Sequence, residues 1–285
     1  MSREPVGLFA GAGRFPILFA EKARSLGIPV VCIGVADMAD PSLKGICTEF
    51  HWLRRLSMGF AIRTLKKAGV KRWTMAGKYH KHILFRPWKW LRLLPDWRLL
   101  RAWMKHRKRG GDNKDDSLML GLIAEFRAEG LECVSAIDLC TELLVKAGPL
   151  TKRKPTESEL RDIRFGWTLA KEMGRLDVGQ SVMVRDRACL AIEAIEGTDL
   201  CIRRAGELCG RNGFVVVKVA KPQQDRRFDM PTVGPDTIES MKAAGAGVLA
   251  IEAGQTILID EAETIARADR YGIAIVAYEA DAFNV

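Results

Sequence analysis

The alternation of short apolar runs with helical patterns constrains the fold of this chain more than any other feature of the sequence. Apolar runs predict strands at residues 6–10, 29–35, 72–76 and 132–136. Helical periodicity predicts helices between them, at residues 15–26, 58–68 and 117–129. Gly27, Gly69 and Gly130 stand where glycine commonly ends a helix. Because this alternation is typical of a parallel sheet, we expect a Rossmann-like N-terminal domain.

Apolar periodicity stops at residues 147–156, where one glycine, two prolines and a cluster of charges stand together. This composition indicates a domain boundary. Beyond it, helical periodicity predicts a helix at residues 157–173 and another from Asp260, which has capping-box spacing to Glu263. Apolar runs predict strands at residues 181–184, 189–195, 214–219, 248–252 and 273–278. We therefore expect an α/β fold with two α/β domains, Rossmann-like over residues 1–150 and mixed over residues 151–285.

Composition bears on the compartment in which the protein works. The chain has 285 residues with 48% hydrophobic content, enough to bury two cores. Its seven cysteines are odd in number and include no C-x-x-C pair, which favours reduced thiols in the cytoplasm. Gly11, Gly13, Arg14 and Pro16 interrupt the apolar run of residues 6–20, so we expect neither a signal peptide nor a membrane span there.

The formal net charge of +10 is concentrated in one segment. Residues 71–110 hold 13 of the 45 Lys and Arg but one of the 35 acids, which leaves the rest of the chain at −2. An insertion at about residues 78–110 also contains four of the seven tryptophans, Trp88, Trp90, Trp97 and Trp103. Indole rings with cations suit an anionic membrane interface, and equally single-stranded nucleic acid. Packing of the rings on the domain, with solvated charges, is the third interpretation.

A glycine-rich loop, GAGRFP, follows the first predicted strand and precedes the first predicted helix. The backbone N–H groups of Gly11, Ala12 and Gly13 could therefore face a phosphate at the helix N-terminus. Pro16 stands where a dinucleotide fingerprint has glycine, which argues against an NAD-dependent oxidoreductase. A tight turn without a ligand is the alternative.

An acidic run, GGDNKDDSLML, leads into the third predicted helix. Asp112, Asp115 and Asp116 could supply the oxygen ligands that Mg²⁺ prefers. Capping of the helix by one of them, or by Ser117, explains part of the run without a ligand.

Residues 218–238, KVAKPQQDRRFDMPTVGPDTI, are the strongest signal of an active site. They follow an apolar strand, and the prolines argue against a helix or a strand through the charged run. Gly234, Pro235 and Asp236 then start a helix, whose N-terminus offers another anion site. Loops at the carboxyl ends of strands commonly deliver ligand-binding groups in α/β sheets. Two cations can neutralise a diphosphate while a carboxylate holds a metal ion or orients water. A surface loop with incidental charges is the alternative.

A second strand end carries EGTD at residues 196–199. Glu196 and Asp199 could line the same pocket as residues 218–238. Thr198 or Asp199 as a helix N-cap would explain half of this motif.

Taken in order, these segments resemble the LpxI-type UDP-2,3-diacylglucosamine pyrophosphatases of the lipid A pathway. The resemblance spans the chain and rests on GAGRFP, GGDNKDDSLML, EGTD with the following RRAG, residues 218–238, and AIEAGQT at residues 250–256. It implies a substrate cleft between two α/β domains and a divalent metal, Mg²⁺ or Mn²⁺. It also implies hydrolysis of UDP-2,3-diacylglucosamine to UMP and 2,3-diacylglucosamine 1-phosphate.

The family pattern KPxQDxRFD falls on residues 221–229 without a mismatch. The resemblance implies that Asp225 binds the metal or orients water, and that Lys218, Lys221 and Arg227 hold phosphate oxygens. It makes Asp116 a further candidate for metal or sugar contact. The remaining expected substrate contacts are Gly11, Ala12, Gly13, Asp112, Glu196, Thr198, Asp199, Gln224 and Glu252.

The resemblance also implies a lipid-linked nucleotide-sugar partner and no nucleic acid. We expect a cytoplasmic protein that associates peripherally with the inner membrane, and a homodimer is one assembly left open. The alternative function is a single-stranded nucleic-acid-binding module that uses the basic, tryptophan-rich insertion.

Overall fold

A computed structural model describes residues 4–54, 57–78, 96–98, 101, 104, 115–210 and 213–283, with the backbone alone for residues 115–118. The chain forms two compact units. The first contains Met1–Cys140 and Asp225–Phe228, and the second contains Thr141–Gln224 and Asp229–Val285. The division falls ten residues before the predicted boundary, because residues 148–149 already pair with the sheet of the second unit.

The first unit is built on a parallel sheet. Its strands are β1 (Val6–Ala10), β2 (Val30–Val35), β3 (Glu49–Leu53), β4 (Arg72–Ala76) and β5 (Glu132–Cys133). Its helices are α1 (Phe15–Ser25), α2 (Leu43–Ile46), α3 (Met58–Lys67) and α4 (Asp115–Ala128). Within the described residues the spatial order is β3-β2-β1-β4-β5, with all pairs parallel. This is the order of the first five strands of a classic Rossmann sheet, so the predicted Rossmann-like fold is confirmed.

Three aromatic rings form the centre of this core. Trp73 lies 4.5 Å from Phe126 and 5.0 Å from Phe9, measured between ring centroids. Each of these side chains is buried, which stabilises the unit by about 1.5–3 kcal/mol per side chain. Phe228, from the far end of the chain, packs against the same cluster.

Two predictions for this unit need correction. The strand β3 was not predicted, because its sequence EFHWL mixes polar and aromatic residues at the edge of the sheet. The strand predicted at residues 132–136 ends at Cys133, because the chain turns into a 3₁₀ helix at Ala136–Asp138.

The second unit is built on a mixed sheet in the order β6-β13-β11-β9-β7-β8, as far as the described residues show. Its strands are β6 (Gly148–Pro149), β7 (Ser181–Arg185), β8 (Ala188–Ile192), β9 (Val215–Lys218), β11 (Val248–Glu252) and β13 (Ala274–Tyr278). The central strands β9, β11 and β13 are parallel, whereas β6, β7 and β8 pair antiparallel with their neighbours. A separate parallel pair consists of β10 (Thr232–Val233) and β12 (Ile257–Leu258). The strand β10 lies between Pro231 and Pro235, so the expectation of no strand there was wrong. The predicted mixed α/β fold is confirmed.

Four helices accompany this sheet in the described residues: α5 (Glu157–Arg175), α6 (Thr198–Leu208), α7 (Pro235–Ala244) and α8 (Glu261–Tyr271). The helix α5 begins with a capping box, in which Thr156 Oγ1 accepts from Glu159 N–H and Glu159 Oε2 accepts from Thr156 N–H. It approaches the sheet closely at Gly166, where an added Cβ would lie 2.8 Å from Val217 Cγ2. The absence of a side chain at residue 166 therefore sets the distance between α5 and β9.

The capping box predicted for α8 is wrong. Asp260 precedes this helix in a left-handed conformation, with φ of 45°, and its side chain makes no capping hydrogen bond. Glu263 accepts instead from Arg267, one turn further along the helix. Asp260 and Glu263 therefore have the sequence spacing of a capping box but do not form its hydrogen bonds.

Asp162 of α5 fixes the hairpin between β7 and β8. Its carboxylate accepts the backbone N–H groups of Asp186 at 3.0 Å and Arg187 at 2.7 Å. Both turn residues have positive φ, 51° and 58°, as a two-residue type I′ hairpin requires. The buried carboxylate thus satisfies two donors that the tight turn leaves unpaired.

The apolar run of residues 6–20 is divided between β1 and α1 by the loop that contains its glycines. None of the helices in the described residues is long and apolar enough to cross a membrane.

Candidate active site

The glycine-rich loop after β1 uses part of its backbone to hold the end of β4. Gly11 N–H donates to Ala76 O at 2.9 Å, and Ala12 exchanges two backbone hydrogen bonds with Lys78. The amides of Gly11 and Ala12 are therefore engaged within the first unit. Gly13 has φ of 97° and open space where a Cβ would stand, so its backbone leaves the most room for a ligand.

The predicted acidic and tryptophan-rich segments lie largely outside the described residues. Asp112, Trp88, Trp90 and Trp103 are among those outside, and of residues 115 and 116 the backbone of α4 is described. Trp97 is described and is 70% exposed.

The acid of the basic insertion caps α3. Asp96 Oδ2 accepts from Ser57 Oγ at 2.9 Å and from Gly59 N–H at 2.6 Å, at the start of this helix. Ser57 also accepts from Phe60 N–H, as an N-cap residue does. The insertion is thus fixed to the first unit at this point by a carboxylate at a helix N-terminus, where negative charge is favoured.

Lys218 and Thr198 lie together in the second unit. The shared pocket that was predicted for Glu196 and Asp199 stays a prediction. Lys218 ends β9 and is 6% exposed. Its Nζ donates to Thr198 Oγ1 and to Thr232 O, both at 3.0 Å. Thr198 Oγ1 in turn donates to Glu193 Oε1 at 2.9 Å. A buried ammonium group is therefore linked through a hydroxyl to a carboxylate.

The EGTD motif is arranged differently from a plain helix cap. Gly197 occupies the N-cap position of α6, so neither Thr198 nor Asp199 is the N-cap residue; Asp199 lies in the first turn. Glu196 accepts from Arg204 Nη2 at 2.6 Å. Burial opposes ionisation of Glu196, but its backbone and Arg204 hydrogen bonds outweigh burial and lower its pKa. Glu196 is therefore an anion paired within its own motif.

Lys221 lies between two carboxylates of the second unit. Its Nζ is 2.7 Å from Asp177 Oδ1 and 2.9 Å from Asp229 Oδ2, and the side chain is mostly buried. Gln224 Oε1 accepts from Lys221 N–H at 2.8 Å, and Gln224 N–H returns a bond to Lys221 O. Lys221 and Gln224 thus hold the turn between them. The predicted phosphate contact of Lys221 would require a phosphate oxygen to replace a carboxylate.

Asp225 and Arg227 belong to the first unit and form a bidentate ion pair. Asp225 accepts from Arg227 Nε at 2.9 Å and from Arg227 Nη2 at 2.5 Å. The Arg227 hydrogen bond lowers the pKa of Asp225 below its ordinary value although burial opposes it. The nearby Cys133 is a protonated thiol, because burial raises its pKa to about 12. Asp225 is therefore the anion of this site, and Cys133 is not a thiolate nucleophile.

Glu252 is buried at the end of β11, with 2% exposure. Its carboxylate accepts from Lys171 Nζ and from Ala220 N–H. Its predicted substrate contact stays a prediction, since both bonds hold protein groups.

A metal centre does not follow from the described residues. They contain no group of three or more His, Cys, Asp or Glu side chains placed to hold a metal ion. Asp225, the predicted metal ligand, has its carboxylate occupied by Arg227. The acidic run at residues 110–116 lies largely outside the described part of the chain.

Sequence reasoning missed three partners of the predicted residues: Glu193, Asp177 and Lys171. It included Arg204 in the RRAG motif but did not predict its pairing with Glu196. Asp177 has φ of 57°, and an acidic residue in a short connection after a helix is a weak signal of such a turn. Lys171 interrupts the stretch of α5 that packs on the sheet, which is a signal of a buried ion pair.

Comparison with known proteins covers almost the whole chain. A family model described as the LpxI N-terminal domain matches residues 5–143, and one described as the LpxI C-terminal domain matches residues 146–276. The chain is 30% identical over 284 residues to UDP-2,3-diacylglucosamine pyrophosphatase LpxI of Caulobacter vibrioides, an alignment that covers 96% of this chain and 97% of that relative.

Shorter similarities involve the bifunctional purine biosynthesis protein PurH. The chain is 30% identical over 132 residues to PurH of Paracoccus denitrificans and 31% identical over 131 residues to that of Bacillus subtilis. These alignments cover 45% and 44% of this chain but 23% and 22% of the relatives, so the chain spans less than a quarter of either protein. None of these relatives supports the alternative of a nucleic-acid-binding module.

Proposed function

Because this chain belongs to the LpxI family, we propose that it hydrolyses the pyrophosphate of UDP-2,3-diacylglucosamine in lipid A biosynthesis. Water adds to one phosphorus and the bridging P–O bond breaks, which releases UMP and 2,3-diacylglucosamine 1-phosphate. The observation that supports this substrate is the similarity to the Caulobacter pyrophosphatase along nearly the full length of both chains.

Asp225 is the residue that we propose acts on the attacking water. Arg227 keeps its carboxylate ionised, and an anionic carboxylate can accept a proton from water or orient it. Guanidinium groups bind phosphate with the same two-pronged geometry that they use for carboxylate. We therefore propose that the Arg227 guanidinium binds the diphosphate of the substrate in place of the Asp225 carboxylate. The Asp225 oxygens can then accept a hydrogen bond from the attacking water.

Lys218 and Lys221 are further proposed phosphate-binding cations. Both are mostly buried and are held by oxygen atoms of the second unit. Phosphate oxygens could replace some of these partners without leaving either ammonium group unpaired. The glycine-rich loop is proposed to contact the UDP part, with Gly13 giving the closest backbone approach.

Dependence on Mg²⁺ or Mn²⁺ is also a proposal. The described residues do not by themselves fit a metal centre. Activity that EDTA abolishes and Mg²⁺ or Mn²⁺ restores would support it. Full activity in excess EDTA would contradict it.

The decisive experiment measures UMP release from UDP-2,3-diacylglucosamine by wild-type protein, Asp225→Asn and Asp138→Asn. Asp138 is an exposed acid of the first unit and serves as the matched control. We expect Asp225→Asn to lose at least about 100-fold in kcat/KM, because removal of a general base costs 10²–10⁴-fold. We expect Asp138→Asn to behave as wild type. Absence of UMP with the wild type would refute the function, and an active Asp225→Asn would refute the role of Asp225.

Association with the cytoplasmic face of the inner membrane is proposed from the substrate and the insertion. A substrate with two acyl chains resides in a bilayer, and Trp97 offers an exposed indole in a cationic segment. Flotation with anionic liposomes should be weakened when Trp88, Trp90, Trp97 and Trp103 are replaced by alanine. Unchanged flotation would contradict a membrane contact. Light scattering would show whether the protein forms the homodimer that the sequence leaves open.

A further inference from the structure

We propose that Lys171 is a positioning residue for the hydrolysis, acting through Glu252 on the backbone of Ala220. This inference rests on the proposed function, because Ala220 directly precedes Lys221, a proposed phosphate-binding cation of the same unit. Lys171 lies on α5, outside every motif that identifies the family resemblance.

The backbone at Ala220 leaves the sheet. Pairing between β9 and β11 ends at Lys218 opposite Ile251. The next residue of β11, Glu252, pairs with Tyr278 of β13 on its other side. Beyond Lys218 the chain therefore needs other partners for its backbone groups, since buried N–H and C=O groups are costly when unpaired.

An ion pair supplies both partners of Ala220. Glu252 Oε2 accepts from Ala220 N–H at 2.8 Å, and Lys171 Nζ donates to Ala220 O at 3.1 Å. Lys171 Nζ also donates to Glu252 Oε2 at 2.7 Å, which closes the group. The two side chains therefore fix the N–H and the C=O of one residue at the same time.

Because Glu252 is buried, its carboxylate needs the charge of Lys171 to remain in place. Glu252 is 2% exposed, and a carboxylate removed from water is stable only with a cation or strong hydrogen bonds. Without Lys171 the carboxylate would lose its compensating cation and turn towards solvent, which weakens its bond to Ala220.

The last turns of α5 continue this support into the next residues. An added Cβ at Gly174 would lie 3.2 Å from Lys221 Cα, so the helix backbone touches the turn directly. Gln223 Nε2 donates to Gly174 O at 2.9 Å. Residues three apart on a helix share a face, so Lys171 and Gly174 contact residues 220–223 from the same side of α5. Together they hold the backbone of these residues in place. Lys221, a proposed phosphate-binding cation, lies in this stretch.

The test compares full-length wild type with Lys171→Met, Lys171→Arg and Asp162→Asn. Asp162 is the matched control, because it is a buried acceptor on the same helix, nine residues or about 13 Å away, and supports a hairpin elsewhere. For each protein, kcat and KM are measured by UMP release, and amide hydrogen exchange is measured for the peptide that contains Ala220. The variant Lys171→Met with Glu252→Gln is added because it leaves no uncompensated buried charge, should Lys171→Met fold poorly.

We expect Lys171→Met and the double variant to lower kcat about 10- to 100-fold, the usual cost of misplacing a reacting group, with KM changed less than about threefold. Exchange at Ala220 should become faster in both, while Lys171→Arg recovers most of kcat. Asp162→Asn should keep the wild-type kcat per folded molecule.

Equal kcat for Lys171→Met and Asp162→Asn, or unchanged exchange at Ala220, would overturn the positioning role. If the wild type releases no UMP, the proposed function is overturned, and Lys171 then has no role in that reaction. Exchange at Ala220 would then still decide whether the ion pair holds the backbone.

Discussion

Replacing Arg227 with methionine tests the electrostatics of the Asp225–Arg227 pair. The variant keeps much of the aliphatic stem and the backbone bond from residue 227 to Asp225 Oδ1, but it removes the charge and the side-chain donors. Hydrogen bonds to charged groups contribute about 1.5–3 kcal/mol when buried. Because the two side chains are 25% and 22% exposed, solvent screening reduces this contribution. We expect the free energy of unfolding at pH 7 to fall by about 2 kcal/mol.

The loss should depend on pH in a defined direction. Arg227 lowers the pKa of Asp225 in the folded protein below the ordinary value of 3.8. A carboxylate with a lowered folded-state pKa stabilises the protein above its unfolded-state pKa, and this contribution is lost as pH falls through the folded-state value. The difference between wild type and variant should therefore be largest at neutral pH and shrink below pH 3.8.

Urea unfolding from pH 7 downward measures this difference, and Arg226→Met provides the control. Arg226 is the neighbouring residue and is exposed, so its replacement removes the same formal charge without removing the Asp225 pair. If both variants unfold with the same free energy at pH 7, or if the difference from wild type is independent of pH, the reasoning is refuted.

Three stability predictions concern the helices. Asp162→Ala should lower the free energy of unfolding by about 2–3 kcal/mol, because two turn amides lose their acceptor, and urea unfolding within about 0.5 kcal/mol of wild type would contradict this. Gly166→Ala should lower the free energy of unfolding by about 1–3 kcal/mol, because the added Cβ would press against Val217. Gly121→Ala should raise it by up to about 1 kcal/mol, because no atom lies within 4 Å of the added Cβ in α4. Calorimetry that shows a change of the same sign for both variants would contradict the packing argument. Thr156→Ala should lower the free energy of unfolding by about 1 kcal/mol, because it removes the capping box of α5. An unchanged melting temperature would contradict this prediction.

Most strands of the two larger sheets could be predicted because they are apolar along most of their length. β6 was not predicted, since it lies in the stretch interpreted as the domain boundary. β1, β2 and β11 are buried over nearly every residue, and their sequences show uninterrupted apolar runs. The edge strand β3 has exposed and half-buried residues, so its sequence lacks that run. β10 and β12 have two residues each, too few to show any periodicity.

The charged residues of the candidate site could be predicted individually, but their partners could not. Lys221 and Asp225 stand out because charges follow a buried strand. Asp177, which holds Lys221, and Lys171, which reaches Ala220, come from positions more than 40 residues away in sequence. Only the fold brings these groups together, and a sequence pattern of charge types carries no information on such distances.

The membership of residues Asp225–Phe228 in the first unit has a consequence for biosynthesis. Phe228 packs on the core that contains Phe9 and Trp73, and Ser135 Oγ donates to the carbonyl of Arg226. A ribosome produces the chain from its N-terminus, so residues 1–140 emerge well before these four residues. Until residues 225–228 are synthesised, the core of the first unit therefore lacks the packing of Phe228. A chain terminated before residue 225 lacks both that contribution and the carboxylate proposed to act on water.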